Sequence, residues 1–361
     1  MTQKPVVVVG GGNGARAFAG HLSLKGVPVR LLSSFPEELK AIKQQGAITV
    51  SGTVEGQGKV QVCGDDFAAI SDATLILVVV PAFAHASIAR SLAPYLRNGQ
   101  IIILNPGRTG GALEFSQVLK DEKCPAKVCV AEAQTLLYAC RSEGSTGVRI
   151  NGIKKEVAVA AFPAVETQTV LNELTKYFPQ FKPVPSVLHT DLMNIGAVFH
   201  PTTVLLNAGR IEGGEKFEFY RDGMTPAVTA ALEQVDKERC AIAKTLDIPI
   251  LSALEWLESV YGVQAASLRE GLINNPAYQG IAAPTTLNVR YLFEDIPTGL
   301  IPFISLGKLA GVPTPTCQAV VELACAALSH NFWEKGRTVE KLGLTNMTKK
   351  ELHDYLLHGE K

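Results

Sequence analysis

Three side chains in the second half of this chain have the types needed for proton transfer and anion capture: His200, Arg290 and Asp295. His200 is the one histidine of Leu192 to Glu212, LMNIGAVFHPTTVLLNAGRIE, an almost uncharged helix pattern with Pro201 directly after it. Proline at 201 cannot donate to the carbonyl of Ala197, so the helix kinks or restarts beside the histidine. Asn207, close to two turns further on, shares that face if the helix resumes. An imidazole titrating near neutrality suits the proton donation that carbonyl or imine reduction needs, although a lone histidine in an apolar helix is more commonly a satisfied core residue. Further on, PTTLNVRYLFEDIPTGLIP, Pro284 to Pro302, gathers Arg290, Glu294 and Asp295 among aromatic and apolar residues. A guanidinium suits bidentate capture of a carboxylate, and a carboxylate can orient a histidine. Arg290 and Glu294 fit an i,i+4 ion pair equally well. Arg290 and Asp295 share one face of neither a straight helix nor a strand, so spacing alone does not assemble a site.

The other chemical signal stands at the front, in PVVVVGGGNGARAFA, Pro5 to Ala19. Four consecutive valines, Val6 to Val9, read as a strand buried on both faces. Gly10, Gly12 and Ala15 then fill a GxGxxA frame: a tight turn, a close approach for a pyrophosphate, and close packing of helix on strand. The free N–H groups and positive end of the following helix, near Asn13 and Gly14, would hold the phosphates. Strand, loop and helix stand in the order that a dinucleotide site requires.

A second strand, Pro28 to Leu32, ends where an NAD-selective site places Asp or Glu on the ribose 2′-OH, roughly 20 residues past the glycines. Ser33 and Ser34 stand there instead. With no carboxylate to repel a 2′-phosphate, and with Arg16 and Arg30 as cationic partners, the sequence favours NADP(H) over NAD(H).

A chain of 361 residues is long for one hydrophobic core and predicts two domains. Lys plus Arg equals Asp plus Glu, 34 against 34, with no basic tract, so neither nucleic acid nor an anionic membrane is an expected partner; small molecules are. The first strand begins within five residues of the start, without a charged leader and apolar core, and no apolar run reaches the ~20 residues of a membrane span, which reads as a cytoplasmic protein. Seven scattered cysteines, without a CxxC pair or a neighbouring histidine at ligand spacing, read as free thiols, and no metal site is expected.

Residues 1–185 alternate short apolar runs with helical stretches, the pattern of a doubly wound parallel sheet. Strands are expected at Val6 to Val9, Val29 to Leu32, Thr74 to Val80, Ile101 to Leu104, Val128 to Ala131 and Val157 to Ala161. Two of them end in the turns VVVPAFAH and NPGRTGG, at the strand ends where open α/β sheets bind ligands. Pro81 and His85 are therefore placed by the nicotinamide half of the cofactor, and Asn105, Gly107, Thr109 and Gly110 by the substrate gap. Residues 186–361 read as a mostly helical second domain, with helices over Thr225 to Leu246, Ile250 to Tyr261 and Pro315 to His330, and an outward-fraying surface helix from Thr348 onward. Without a flexible linker, the two domains are expected to meet in a cleft.

These segments together resemble the opine dehydrogenase family, which includes octopine and nopaline dehydrogenases. The resemblance runs through GGGNGARAFAGHLSLKG, VVVPAFAHASIA, LNPGRTGGALEF, FHPTTVLLNAGRIE, NPAYQGIAAPTTLNVRYLFEDIPTGL and GRTVEKLGL. It implies a Rossmann-type domain followed by a helical domain, with the active site between them, and NAD(P)H-dependent reductive condensation of a 2-oxo acid such as pyruvate with the amino group of an amino acid, through an imine. It casts His200 as proton donor and acceptor, Asp295 as its partner and Arg290 as the binder of a substrate carboxylate. Ser33 departs from the acidic residue that norvaline-type members place after the second strand, so cofactor choice is not inherited. The amine-donor pocket is expected to draw on Phe217, Tyr220, Trp256, Tyr261 and Tyr278, and a homodimer through the helical domain is entertained. The alternatives are a hydroxy-acid dehydrogenase or ketopantoate-type reductase and an NAD(P)-sensing protein that does not turn over. The reductases place a lysine on the interdomain helix, and none stands between Pro183 and Glu215; a sensor has no need of Arg290, His200 and Asp295 together.

Overall fold

The computed structural model describes residues 3–360. Its first half holds twelve strands: β1 (Val6–Val9), β2 (Val29–Leu32), β3 (Ala47–Gly52), β4 (Gly56–Lys59), β5 (Gln61–Gly64), β6 (Leu75–Val78), β7 (Ile101–Leu104), β8 (Cys129–Ala133), β9 (Tyr138–Glu143), β10 (Gly147–Ile153), β11 (Val157–Phe162) and β12 (Phe181–Pro183). Eight form one sheet in the order β12-β11-β8-β7-β6-β1-β2-β5. Its neighbours run parallel except for β11 against β8. The valine and isoleucine runs of β1, β6 and β7 are buried on both faces, as sheets covered on both sides require. Because β2 and β6 flank β1, the chain reverses direction across the sheet there. The carboxyl ends of those strands are the ligand-binding position of an open α/β sheet.

All six expected strands are present, with ends that differ by at most two residues. The sequence reading missed a second sheet, β4-β3-β10-β9, which lies against the far side of the helix Asn13–Leu24. Its strands are short and broken by glycines, so their alternation is weak. Gly58 of β4 meets the helix backbone at Gly20, where a Cβ would stand 2.7 Å from the carbonyl oxygen. The extra sheet seals the helix on the side away from the large sheet and buries Val50, Val148 and Ile150.

The chain divides into two compact units, at Thr190 rather than at 185. The first runs to Thr190 and also takes in the chain from Lys350 onward; the second is Asp191–Lys349. The second unit is helical, with the helices Pro226–Thr245, Ala253–Tyr261 and Pro315–Leu328 close to the expected ranges. The fraying C-terminal helix is corrected: Lys349–His358 buries Leu352, Tyr355 and Leu356, and Tyr355 packs on Phe162 at 5.0 Å. Its charged composition concealed an apolar stripe that belongs to the first unit.

No helix of the described residues is long and apolar enough to cross a membrane. No group of three or more His, Cys, Asp or Glu among them could hold a metal ion.

Candidate active site

In the first unit, Gly10 leaves β1 at φ +134, and a Cβ there would stand 2.3 Å from the carbonyl oxygen of Val79. Only glycine fits that turn. Gly12 is the N-cap of the helix Asn13–Leu24, with no side chain capping the first turn. A Cβ on Gly12 would meet nothing within 4 Å. The loop therefore offers uncapped N–H groups beside open space, the cradle that a pyrophosphate needs. Ala15 is fully buried beneath it. The Asn13 side chain is committed elsewhere: its Oδ1 accepts from the backbone N–H and Oγ of Ser142, at 3.1 and 2.6 Å. Gly14 packs on Val79 and Leu136. These residues fit a dinucleotide.

The end of β2 differs from the sequence reading. Ser34 is exposed, whereas Ser33 is buried and donates its hydroxyl to the carboxylate of Glu38. Glu38 sits in the short 3₁₀ turn Pro36–Leu39, and its carboxyl carbon would be 2.3 Å from a Cβ on Gly11. A carboxylate thus lies over the glycine loop, supplied six residues beyond the strand rather than at its end. Arg16 spans the same loop: its Nε donates to the Gly11 carbonyl at 2.9 Å, and a terminal nitrogen reaches the Glu38 carbonyl at 3.5 Å. Arg30 is corrected as a cofactor residue. It lies in the first half of β2, opposite Val7, and its guanidinium pairs with Asp72 and the Ala69 carbonyl. The premise for NADP(H), no carboxylate and two available arginines, does not hold in the structure.

Pro81 caps the turn after β6, but His85 is wholly buried, with its Nδ1 near Gly111. In the NPGRTGG loop, Asn105 and Thr109 are buried, Gly107 packs on Glu132, and Gly110 adopts φ +77. Glu132, at the end of β8, is fully buried; it accepts from the Ala112 N–H at 2.7 Å and from the Thr190 hydroxyl. This carboxylate at a helix N-terminus, which sequence reasoning missed, ties the loop down. An acidic residue inside an apolar strand is the signal that could have found it.

In the second unit, the helix Ile195–Leu206 runs through Pro201 and breaks instead at Asn207. Asn207 closes that break: its Nδ2 donates to the carbonyls of Thr203 and Gly223 at 2.9 and 3.1 Å, so it serves the chain turn and not His200. His200 Nδ1 is 2.6 Å from Asp295 Oδ2, and its Nε2 is 2.8 Å from the Tyr220 hydroxyl. Tyr291 stacks on the imidazole at 4.1 Å and 19°. The ring is thereby held at both nitrogens and on one face. Asp295, 1% exposed, is placed by the change from the single turn Arg290–Phe293 into the π-helix Ile296–Leu300. That change of winding gives Asp295 a direction that the five-residue spacing did not.

Arg290 makes the i,i+4 pair that the sequence allowed, with Nε 3.2 Å from the carboxylate of the buried Glu294. Its side chain is 65% exposed, so a single buried carboxylate aims an otherwise open guanidinium. Four of the five expected pocket aromatics are contiguous. Tyr220 stacks on Tyr278 at 4.2 Å, Tyr278 meets Tyr261 at 5.4 Å, and Tyr261 meets Trp256 at 5.6 Å. Phe217 lies apart under the Arg210 guanidinium. Burial pushes the Tyr278 hydroxyl far above the usual phenol range, so it stays neutral.

Comparison with known proteins extends this geometry. Residues 183–328 match the family model of the NAD/NADP octopine/nopaline dehydrogenase α-helical domain, and residues 5–131 that of the NAD-dependent glycerol-3-phosphate dehydrogenase N-terminus. The chain is 44% identical over 350 residues to an opine dehydrogenase of Arthrobacter sp. (strain 1C), covering 96% of this chain and 97% of that one. Its fold matches an octopine dehydrogenase solved with NADH and pyruvate, at TM-score 0.81, 25% identity and 99% of both chains. A yersinopine dehydrogenase with NADP+ bound matches at TM-score 0.74, 16% identity and 98% of both chains.

Proposed function

The chain belongs to the opine dehydrogenase family of NAD(P)-dependent oxidoreductases, and on that premise we propose that it condenses a 2-oxo acid of the pyruvate class with the amino group of an L-amino acid and reduces the resulting imine. The observation that carries the reading is the imidazole of His200, held between Asp295 and Tyr220. Nδ1–H donates to the carboxylate, so in the neutral ring Nε2 is the accepting nitrogen and the one that exchanges protons. Amine attack on the keto carbon, loss of water and protonation of the product each need such a group.

Arg290, aimed by Glu294 and open to solvent, is the proposed binder of a substrate carboxylate. The tyrosine and tryptophan cluster from Tyr220 to Trp256 is the proposed wall for the amine donor's side chain.

The first unit is the proposed cofactor site, and bound reduced nicotinamide supplies the hydride. Gly10 to Ala15 hold the pyrophosphate. Glu38 accepts from the ribose 2′-OH and opposes a 2′-phosphate, which favours NAD(H) over the NADP(H) expected from Ser33 and Ser34. Phe35, 75% exposed and three residues before Glu38, offers a face for the adenine.

The test is oxidation of NADH and NADPH with pyruvate and a panel of L-amino acids, each omitted in turn. Oxidation that requires both keto acid and amine is the expected result. Oxidation with a keto acid alone would replace this reading by a hydroxy-acid dehydrogenase, and no oxidation at all would leave a cofactor-binding protein.

A further inference from the structure

Resting on the proposed reaction, we infer that Tyr220 is a proton relay between His200 Nε2 and the substrate oxygen. Writing the condensation with a protonated amine, a ketone and the reduced cofactor, the sum balances only when one further proton is taken up for each water released. In the proposed reaction that proton passes through His200. Nδ1 is closed, 2.6 Å from the Asp295 carboxylate. The remaining nitrogen, Nε2, is already engaged by the Tyr220 hydroxyl at 2.8 Å. Either Tyr220 moves aside when substrate binds, or the proton travels through its oxygen.

The packing decides between these. The residue is 6% exposed. Its ring stacks on Tyr278 at 4.2 Å and 18°, and meets Phe219 edge-on at 5.0 Å and 89°. Withdrawing it would break a stack and disturb a closely packed interior. Passing a proton needs only rotation of one C–O bond. Tyr291, stacked on the other partner, keeps the imidazole in the plane that points Nε2 at that oxygen.

In the relay, the carbinolamine formed by amine attack loses its hydroxyl as water. The Tyr220 O–H proton goes to the departing oxygen, and the Nε2–H proton of the imidazolium goes to the tyrosine oxygen. The C–O bond breaks and the nitrogen lone pair forms C=N, leaving a neutral imidazole that recovers its proton from solvent. The tyrosine ends as it began, and no tyrosinate accumulates.

The test is Tyr220→Phe in the full-length protein, which removes the hydroxyl and keeps the ring stack. NADH oxidation is followed with pyruvate and whichever L-amino acid gives the fastest wild-type turnover. A fall in kcat of about 10²-fold is expected, at the low end of general acid–base effects, with NADH affinity and thermal midpoint unchanged. Rates in mixtures of H2O and D2O provide a second reading: a bowed dependence on deuterium fraction in the wild type, from two protons in flight, straightens in the variant. A variant within twofold of wild-type kcat, or a linear wild-type dependence, overturns the relay while leaving the proposed reaction standing. A wild type without amine-dependent oxidation overturns the reaction itself, and the relay with it.

Discussion

Asp295 Oδ2 lies 2.6 Å from His200 Nδ1 across 95 residues of chain, and the carboxylate is almost wholly buried. An acceptor in that position fixes the tautomer and the orientation of the ring. Asp295→Asn offers an amide in its place and weakens both effects. It is expected to lower kcat by about 10²–10⁴-fold, as is His200→Ala, the range for loss of a general acid–base. NADH affinity, read by fluorescence, should change little. Unaltered turnover in His200→Ala would remove the histidine from the mechanism.

Glu38 is the proposed discriminator between the two cofactors. Its carboxylate overlies Gly11 and accepts from Ser33, where a 2′-phosphate would meet repulsion. Glu38→Gln is expected to improve kcat/KM for NADPH relative to NADH by about tenfold, on the basis of the ~1.4 kcal/mol scale of one lost charge contact. A ratio that stays where the wild type has it would place the discriminating group elsewhere.

Two glycines of one loop should respond in opposite ways. Gly12→Ala puts a methyl group into space that is open in the free protein, so the thermal midpoint holds while NADH binding weakens. Gly10→Ala collides with the Val79 carbonyl at a φ of +134, a conformation that L side chains rarely adopt. It is expected to destabilise the fold by at least about 1–3 kcal/mol. Equal midpoints for the two variants would contradict this division.

Acid sensitivity has an expected source in His21. Its Nδ1 lies 2.9 Å from the Tyr138 hydroxyl, and burial, with Lys25 nearby, pushes its pKa down from 6.5 to about 4. Between those values the unfolded chain binds the proton and the folded chain does not. Stability is therefore complete above about pH 6.5 and falls as pH drops toward 4, with no further loss from this group below that. The contribution is at most about 3 kcal/mol, and smaller to the degree that solvent reaches the ring. Thermal midpoints at pH 7.5 and pH 5 should differ more in the wild type than in His21→Gln. An equal difference in both proteins would assign the acid sensitivity to other groups.

The features legible in sequence were those whose physics is local. Four consecutive valines can only be comfortable in a covered strand, Gly10 and Gly12 announce a turn and an open approach, and the apolar run around His200 specifies a buried helix. Ser33 and Ser34 left Glu38 out of view because the sequence marks where a strand ends, not what the following turn brings back. The turn Pro36–Leu39 returns Glu38 over the glycine loop. The C-terminal helix misled in the same way, since its apolar stripe has meaning only against Phe162.

By itself, then, the sequence determined the glycine loop, the six principal strands, the change to helices after the first half and the three residue types suited to catalysis. The resemblance had already cast Asp295 as the partner of His200; tertiary structure alone decided that Tyr220 occupies its other nitrogen and that Asn207 closes a chain turn. The reason is that periodicity constrains neighbours within a turn or a pleat, whereas a hydrogen bond joining residues 95 apart depends on where the intervening chain is packed.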